Sequence, residues 1–566
     1  MDSSKTKAEE WLDLFFDKET RSVVSGWIAN NSPELEESFY KDLEFGTGGM
    51  RGVMGAGTNR INKYTIGKAT LGLANYLIDQ FPDEDISVAI AYDSRNNSKE
   101  YAKISAGVLA ANNIKTYLFR ELRPTPILSY AVRELGCNAG IVITASHNPK
   151  EYNGYKVYWN DGGQLVPPHD KGVMDAVKKV SSFSEIDFNG NAKLINFIDD
   201  SVERSYIEKV KSIIPKDELA DRTMPIVFTS LHGTGITLIP RILQEIGFTE
   251  VYSVKEQEAP NGDFPSVDSP NPEERSALAM AIDLAKEKNA ELVMGTDPDT
   301  DRIGLAIKNP NGDWILLNGN QSGSILVNYL LENLDPDKAD SSFICKTIVT
   351  SDLIEQIGAY YGVRCFNTLT GFKYIARTIR ENEGKLSFIG GGEESFGYLA
   401  GDFVRDKDAV ISAVIFSQIA AKCKAEGISL YDYLLRIYEK HGVFKERLLS
   451  VTRKGKAGLE EIQAQMEQYR SDTPSFLAGE KVVLFTDYLQ GKSINLLTGE
   501  EKSIPFESSN VLQFKTEIDS LITVRPSGTE PKIKYYFSVR ENENLAIESL
   551  LEKAELHLDR LEKSFV

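Results

Sequence analysis

The 566-residue chain carries 83 acidic against 64 basic side chains, a formal charge of −19, and is 41% hydrophobic. That length exceeds what one core usually supports and predicts roughly three to five domains, with ample apolar content to pack them. The acidic balance argues against nucleic acid and anionic membrane surfaces as partners, and it requires that any anionic ligand be met by locally concentrated cations.

In chain order, Met1 to Phe16 is polar and acidic, with Trp11, Leu12, Leu14, Phe15 and Phe16 clustered like the buried side of a leading helix. Lacking a basic start and a long apolar run, it does not read as a signal peptide. Phe45-Gly46-Thr47-Gly48-Gly49-Met50-Arg51-Gly52 is a glycine-dense loop with one cation. A dinucleotide fingerprint would need glycine where Arg51 stands, so Arg51 is either a phosphate-gripping fork or part of a flexible surface loop. Ile86 to Ala91 predicts a short strand ending in Tyr92-Asp93-Ser94-Arg95, with helical spacing from Tyr101 through Leu109. This alternation predicts a mostly parallel sheet covered on both faces.

The apolar run Gly140 to Ile143 leads straight into Thr144-Ala145-Ser146-His147-Asn148-Pro149. Asn-Pro forces a turn, so Ser146 is expected to stand exposed at the carboxyl end of a buried strand, where open α/β sheets hold ligands. Serine there is either a helix cap or a nucleophile, and Thr144 and Asn148 replace the glycines of a hydrolase elbow. Lys156, one loop away, is either a solvated charge or a proton carrier.

A first boundary is read near 200, and a second α/β unit begins with the strand Met224 to Phe228. Its most informative segment is Thr296-Asp297-Pro298-Asp299-Thr300-Asp301-Arg302. Carboxylates at i, i+2 and i+4 on one side of an extended segment call for a cation, and oxygen-only ligands suit magnesium or another hard divalent ion. A calcium EF-hand would need glycine and glutamate where Arg302 and Lys308 stand, and the plain alternative is an acidic surface turn. A third unit begins near Gln321, with strands at Phe343 to Cys345 and Val363 to Phe366, and Thr370-Gly371-Phe372-Lys373 opening a helix. Gly391-Gly392-Glu393-Glu394-Ser395-Phe396-Gly397 is a glycine-framed loop able to read sugar hydroxyls or to serve as plain turn chemistry. The helix from Ala409 onward is interrupted by Ser412, Ser417 and Gln418, and its apolar part is shorter than the ~20 residues a membrane span needs.

A last domain is read from about 445, with a helical segment Leu459 to Tyr469 and antiparallel strands. Between strands Leu521 to Val524 and Ile533 to Val539 lies Arg525-Pro526-Ser527-Gly528-Thr529-Glu530-Pro531, whose arginine, two hydroxyls and freed backbone amides make an anion nest. Cys137, Cys345, Cys365 and Cys423 show no paired spacing, which fits reduced thiols and a cytoplasmic protein.

Taken together, these loops resemble those of the α-D-phosphohexomutase family, in the family's order and across nearly the whole chain. Ser146 is similar to the family's phosphoserine, Asp297, Asp299 and Asp301 with Arg302 to its magnesium loop, Gly392 to Gly397 to its sugar loop and Arg525 to Pro531 to its phosphate loop. The surroundings resemble most the branch containing phosphopentomutase-like and glucose-bisphosphate-forming members, although Pro298 and Thr300 depart from residues many members carry. The resemblance implies three similar mixed α/β domains (1–200, 201–320, 321–444) and a smaller α+β domain (445–566) around a central cleft. It implies Mg2+ on Ser146 and the three aspartates, glucose 1,6-bisphosphate as intermediate and activator, and a phosphosugar substrate bound by a monomer or homodimer. Glu393 and Ser395, with Thr370 and Gly371, would grip the sugar, while Arg525, Ser527, Gly528 and Thr529 would hold the idle phosphate. Arg51 and Arg302 would face the substrate, and His147, Lys156 and Lys407 would serve proton transfer and charge support, Lys156 first. Mannose or pentose phosphates, and bisphosphate synthesis, are alternatives within this chemistry. A metal-dependent phosphatase and a non-catalytic sugar-phosphate sensor are alternatives outside it.

Overall fold

A parallel strand covered on both faces reads as an unbroken apolar run, and Ser87–Tyr92 and Ala139–Ile143 are buried at every position. They lie at the heart of the first sheet of the computed structural model, which describes residues 2–46, 49–215, 220–453, 455–527 and 532–565. Its strands are β1 (Gly49–Val53), β2 (Ser87–Tyr92), β3 (Lys115–Leu118), β4 (Ala139–Ile143), β5 (Tyr152–Trp159) and β6 (Ile195–Phe197), in the order β1-β5-β4-β2-β3-β6. The pairs β4–β2, β2–β3 and β3–β6 are parallel, whereas β1–β5 and β5–β4 are antiparallel. Val88, Ile90, Ile141 and Ile143 share one core with Leu73, Leu77 and Leu109 of the helices Lys63–Gln80 and Ser98–Ala111. Each such buried side chain contributes roughly 1.5–3 kcal/mol.

The second sheet repeats this plan. Its strands β7 (Ile226–Thr229), β8 (Val251–Ser253), β9 (Leu292–Thr296), β10 (Ile303–Lys308) and β11 (Trp314–Leu316) run in the order β11-β10-β9-β7-β8. β7 pairs in parallel with β8 and β9, and β10 turns back antiparallel on β9 as β5 does on β4. In the third unit β12 (Ser342–Thr347) and β13 (Arg364–Thr368) are parallel, followed by β14 (Ser387–Glu393) and β15 (Gly397–Ala400). The Ser146, aspartate and Glu393–Ser395 segments thus stand at matching points, each beside the connection from one strand to the next: β4 to β5, β9 to β10 and β14 to β15. No residue-level repeat announces this, because the three loops carry different chemistry on one backbone plan.

The chain forms two compact bodies. The first comprises Met1–Asn318, Phe372–Gly390 and Ser395–Ser429, and the second Gly319–Gly371, Gly391–Glu394 and Leu430–Val566. The second body contains a fourth, β-rich domain of β16 (Val443–Thr452), β17 (Phe476–Leu477), β18 (Glu480–Asp487), β19 (Lys492–Asn495), β20 (Glu501–Ser503), β21 (Leu512–Thr516), β22 (Leu521–Pro526) and β23 (Lys532–Glu541). Its sheet runs β16-β23-β22-β21-β18-β19-β20, antiparallel throughout, with β17 on β18 and the helix Ile547–Lys563 against β16 and β23.

Three local expectations are corrected. The leading helix ends at Glu10, and the aromatic residues follow it as turns: Trp11 stacks on Phe16 while Leu14 is 81% exposed. The supposed glycine loop becomes edge strand β1 from Gly49 onward, because antiparallel pairing with β5 satisfies its backbone. Gly391, Gly392 and Glu393 likewise complete β14, leaving only Glu394 to Phe396 as the turn.

All four cysteines are free thiols. Among the described residues no helix is long and apolar enough to cross a membrane.

Candidate active site

Ser146 follows the end of β4 with φ +55°, a left-handed conformation that non-glycine residues adopt sparingly. Its Oγ donates to Asp297 Oδ2 at 2.9 Å, and its N–H donates to Thr144 Oγ1 at 2.8 Å. The expected exposure is corrected: Ser146 is 2% exposed, because the aspartate loop of the second sheet lies over it. β5 runs so close behind that a Cβ at Gly154 would stand 2.5 Å from the Thr144 carbonyl oxygen, a position only glycine tolerates. His147 is half-buried, and its Nδ1 is buried with no hydrogen-bond partner; desolvation, then Arg302 and Arg51, push its pKa down to about 2, so the ring is neutral.

Asp297, Asp299 and Asp301 are buried between β9 and β10, with one ligand atom from each lying within 4.8 Å of the others. The segment is a turn rather than extended chain. Thr300 has φ +58° and donates its N–H to the Asp297 carbonyl at 3.0 Å, which gathers the carboxylates more tightly than alternation along a strand would. Asp297 Oδ1 accepts the N–H groups of Asp301 and Arg302, each at 3.1 Å. A Cβ at Gly233 would sit 2.4 Å from the Pro298 Cα, so the second domain's first loop packs directly against this turn.

Lys156 reaches from β5 to Asp299 Oδ2 at 2.7 Å and Asp301 Oδ2 at 3.1 Å; Lys407 lies 3.4 Å from Asp301 and 3.1 Å from Asp406. Burial and the neighbouring Asp299 and Asp301 hold the Asp297 carboxyl well above its ordinary range. Burial opposes ionisation of Asp301 too, but Lys156, Lys407 and Arg302 outweigh it and lower its pKa. Burial opposes the charge on Lys156, and Asp299 with Asp301 overcome it, so its ammonium keeps its proton.

Asp299 Oδ1 and Asp301 Oδ1 are buried with no hydrogen-bond partner. Each such orphan costs about 1–3 kcal/mol unless something occupies its lone pair. All-oxygen donors on ionisable groups fit a hard divalent cation and not a soft one.

Sequence reasoning missed the residues that hold these loops. Thr125 donates N–H to the Asp299 carbonyl at 2.8 Å and Oγ1 to its carboxylate at 3.1 Å, and Thr234 Oγ1 donates to the Pro298 carbonyl at 2.9 Å. Arg95 is 3% exposed and spans the Ser146 loop. An aspartate and an arginine two apart at a strand's carboxyl end, Asp93 and Arg95, were the available signal. Arg51 sits on β1 and donates to Asn148 Oδ1 at 2.7 Å, while Arg302 donates to Glu273 at 2.5 Å.

In the second body, Glu393 Oε1 accepts the Gly371 N–H at 2.9 Å, which joins the third unit's glutamate to the Thr370–Gly371 segment. Glu394 instead turns inward, accepting from Thr347 and Thr350 hydroxyls at 3.3 and 3.1 Å, and burial raises its pKa. Ser395, where the first body resumes, is half-buried in the turn. Arg525 is the last residue but one of β22, opposite Lys534, and the Ser527 N–H donates to the Lys532 carbonyl at 2.7 Å. Gly528 and Thr529 lie outside the described residues.

Comparison with known proteins matches residues 42–183, 204–312 and 318–441 to the family models "Phosphoglucomutase/phosphomannomutase, alpha/beta/alpha domain" I, II and III. A phosphoglucomutase of Staphylococcus epidermidis is 38% identical over 534 residues, covering 94% of this chain and 96% of the relative. One of Staphylococcus aureus is 38% identical over 535 residues, with 93% and 95% covered. Among solved structures, a phosphoglucomutase/phosphomannomutase family protein of Burkholderia thailandensis aligns with a TM-score of 0.63 at 18% identity, over 91% of this chain and 97% of that one. The open form of pp63/parafusin, a phosphoglucomutase from Paramecium, aligns with a TM-score of 0.67 at 17% identity, over 92% and 96%.

Proposed function

The chain belongs to the phosphoglucomutase/phosphomannomutase family, and from that premise we propose that it interconverts glucose 1-phosphate and glucose 6-phosphate through a phosphorylated Ser146 and glucose 1,6-bisphosphate. The observation that carries this reading is the Ser146 hydroxyl hydrogen-bonded to one member of a buried aspartate trio whose other two carboxylates each keep a buried oxygen with no hydrogen bond.

Ser146, Asp297, Asp299 and Asp301 would hold magnesium, which when bound supplies charge neutralisation at the phosphoryl group. In the transfer the P–O bond to Ser146 Oγ breaks as one forms to the sugar's free hydroxyl. That hydroxyl gives up a proton and Ser146 regains one, so a single nearby carrier suffices. Lys156, which starts as an ammonium, is the first choice: it gives a proton to Ser146 Oγ as the P–O bond breaks and takes back the one the sugar hydroxyl loses, with Lys407 adding positive charge on the same side; the neutral His147 adds none. The remaining work is orientation and electrostatics, as phosphoryl transfer generally requires. Glu393 and Ser395, with Thr370 and Gly371, would grip ring hydroxyls in both orientations of the bisphosphate. Arg525, Ser527, Gly528 and Thr529 would hold the phosphate that is not reacting, with Arg51 and Arg302 facing the same ligand. In this reading residues 1–200 carry the phosphoserine loop, 201–320 the metal loop, 321–444 the sugar loop and 445–566 the phosphate loop of a cytoplasmic enzyme.

The test is a product assay on glucose 1-phosphate, mannose 1-phosphate and ribose 1-phosphate, each with a trace of bisphosphate, for wild type and Ser146→Ala. Glucose 6-phosphate formed fastest, and only by wild type, is the expected result. Wild-type rates in Ser146→Ala remove the phosphoserine, a preference for mannose or ribose phosphate moves the substrate, and net release of inorganic phosphate makes the protein a phosphatase.

A further inference from the structure

The backbone carbonyls after Ser146 converge on one side chain. Arg95 Nη2 donates to the carbonyls of Ser146, at 2.6 Å, and Asn148, and Nη1 donates to those of Pro149 at 2.9 Å and Tyr152 at 3.0 Å. Its Nε faces Asp93 Oδ2 at 3.4 Å, and the Phe264 ring lies 5.1 Å from its guanidinium carbon. Asp93 is itself held, accepting the Arg95 N–H at 2.9 Å and the Ser98 hydroxyl at 2.7 Å on Oδ1. The carbonyl between these, that of His147, takes the Ser269 hydroxyl at 3.1 Å.

A planar guanidinium is the one side chain that presents five donors in a fixed fork. Four of them serve the carbonyls of Ser146, Asn148, Pro149 and Tyr152, and so tie the loop from a residue at φ +55° to the first residue of β5. A left-handed serine is strained and persists only where its surroundings fix it. From these contacts we propose that Arg95 is the positioning residue of the Ser146 loop, setting the Oγ in register with the aspartate trio without touching the substrate. The proposal rests on the phosphoserine reading for its consequence in turnover, but its structural content stands on the loop alone.

Because a misplacement near 1 Å costs about a hundredfold in rate, Arg95→Lys is expected to lower kcat about a hundredfold while KM for glucose 1-phosphate stays within about threefold. An ammonium has three donors at one point and cannot span four carbonyls. Arg95→Ala is expected to lose more, and millimolar guanidinium ion is expected to restore part of its kcat. Hydrogen exchange of the amides of residues 146–153 gives a readout independent of turnover, and faster exchange confined to that loop is expected in both variants. Wild-type kcat in Arg95→Lys overturns the proposal, as does a kcat loss that merely tracks the unfolded fraction. Unchanged exchange in the loop overturns it too, whether or not the wild-type chain turns over glucose phosphates. A wild-type chain that is silent on every sugar phosphate sinks the functional reading separately.

Discussion

Ser146 Oγ and Asp297 Oδ2 meet at 2.9 Å although 151 positions separate them in the chain. They meet because each stands where a strand of its sheet gives way to the antiparallel neighbour that follows it, β4 to β5 and β9 to β10. One backbone plan used twice therefore brings a hydroxyl to a carboxylate cluster.

Stripping divalent metal with a chelator should abolish mutase activity, and added magnesium should restore it. Asp299→Asn should weaken magnesium binding by at least about a hundredfold, beyond the 10- to 100-fold typical of residues that only support a metal ligand. Calorimetric titration of magnesium into the variant checks this, and an unchanged affinity would remove Asp299 from the site.

Lys156 neutralises two carboxylates that water does not reach, with 14% of its side chain exposed against 0% and 2% for its partners. Lys156→Met should destabilise the metal-free protein by about 3–5 kcal/mol, since breaking a buried pair strands its partners. Magnesium should recover part of that loss by taking over the neutralisation. Thermal unfolding with and without magnesium checks both halves, and a variant equally stable in the two conditions would show that the carboxylates find other partners.

The sequence made the chemistry of the site legible and left its supports hidden. Asp297, Asp299 and Asp301 stood out because carboxylates at that spacing need a cation, and β2 and β4 because their apolar runs have no polar alternation. Thr125 and Thr234 did not, and Arg95 shows only as the partner of Asp93 at a strand end, since each acts on backbone carbonyls distant in sequence and no local pattern names a partner that far away. The burial of Ser146 is hidden in the sequence for the same reason: its cover comes from the second sheet. The leading helix stops short of its aromatic residues, and the sequence hides this because aromatic clustering signals burial equally well in the turns that place Trp11 against Phe16, Phe39 and Tyr64.

Arg525→Ala should raise KM for glucose 1-phosphate about ten- to hundredfold with little change in kcat. A charge-assisted hydrogen bond to phosphate is worth about 1.5–3 kcal/mol, and each 1.4 kcal/mol is a factor of ten. Steady-state kinetics read this directly, and an unchanged KM would show that the β22–β23 loop does not carry the phosphate.

The C-terminal domain should lose stability on the alkaline side through His557. This ring, on the helix Ile547–Lys563, is bonded through Nε2 to Glu480 of β18 at 2.5 Å and through Nδ1 to Glu541 of β23 at 3.0 Å. The Glu480 hydrogen bond raises its pKa, burial opposes the rise and Glu541 adds to it. A folded pKa above the unfolded 6.5 means that the stabilisation is fully present below about pH 6.5 and is lost as pH rises through the raised value. Burial raises the Glu480 pKa, but the His557, Ser520 and Thr516 hydrogen bonds bring it below 4.5, so its contribution fades only as pH falls through that lowered value. His557→Gln should therefore cost about 2 kcal/mol at pH 6, the worth of a hydrogen bond to a charged group, and much less at pH 9. Thermal melts of the full chain at the two pH values measure the difference, and equal slopes in wild type and variant would show that the helix is pinned by packing alone.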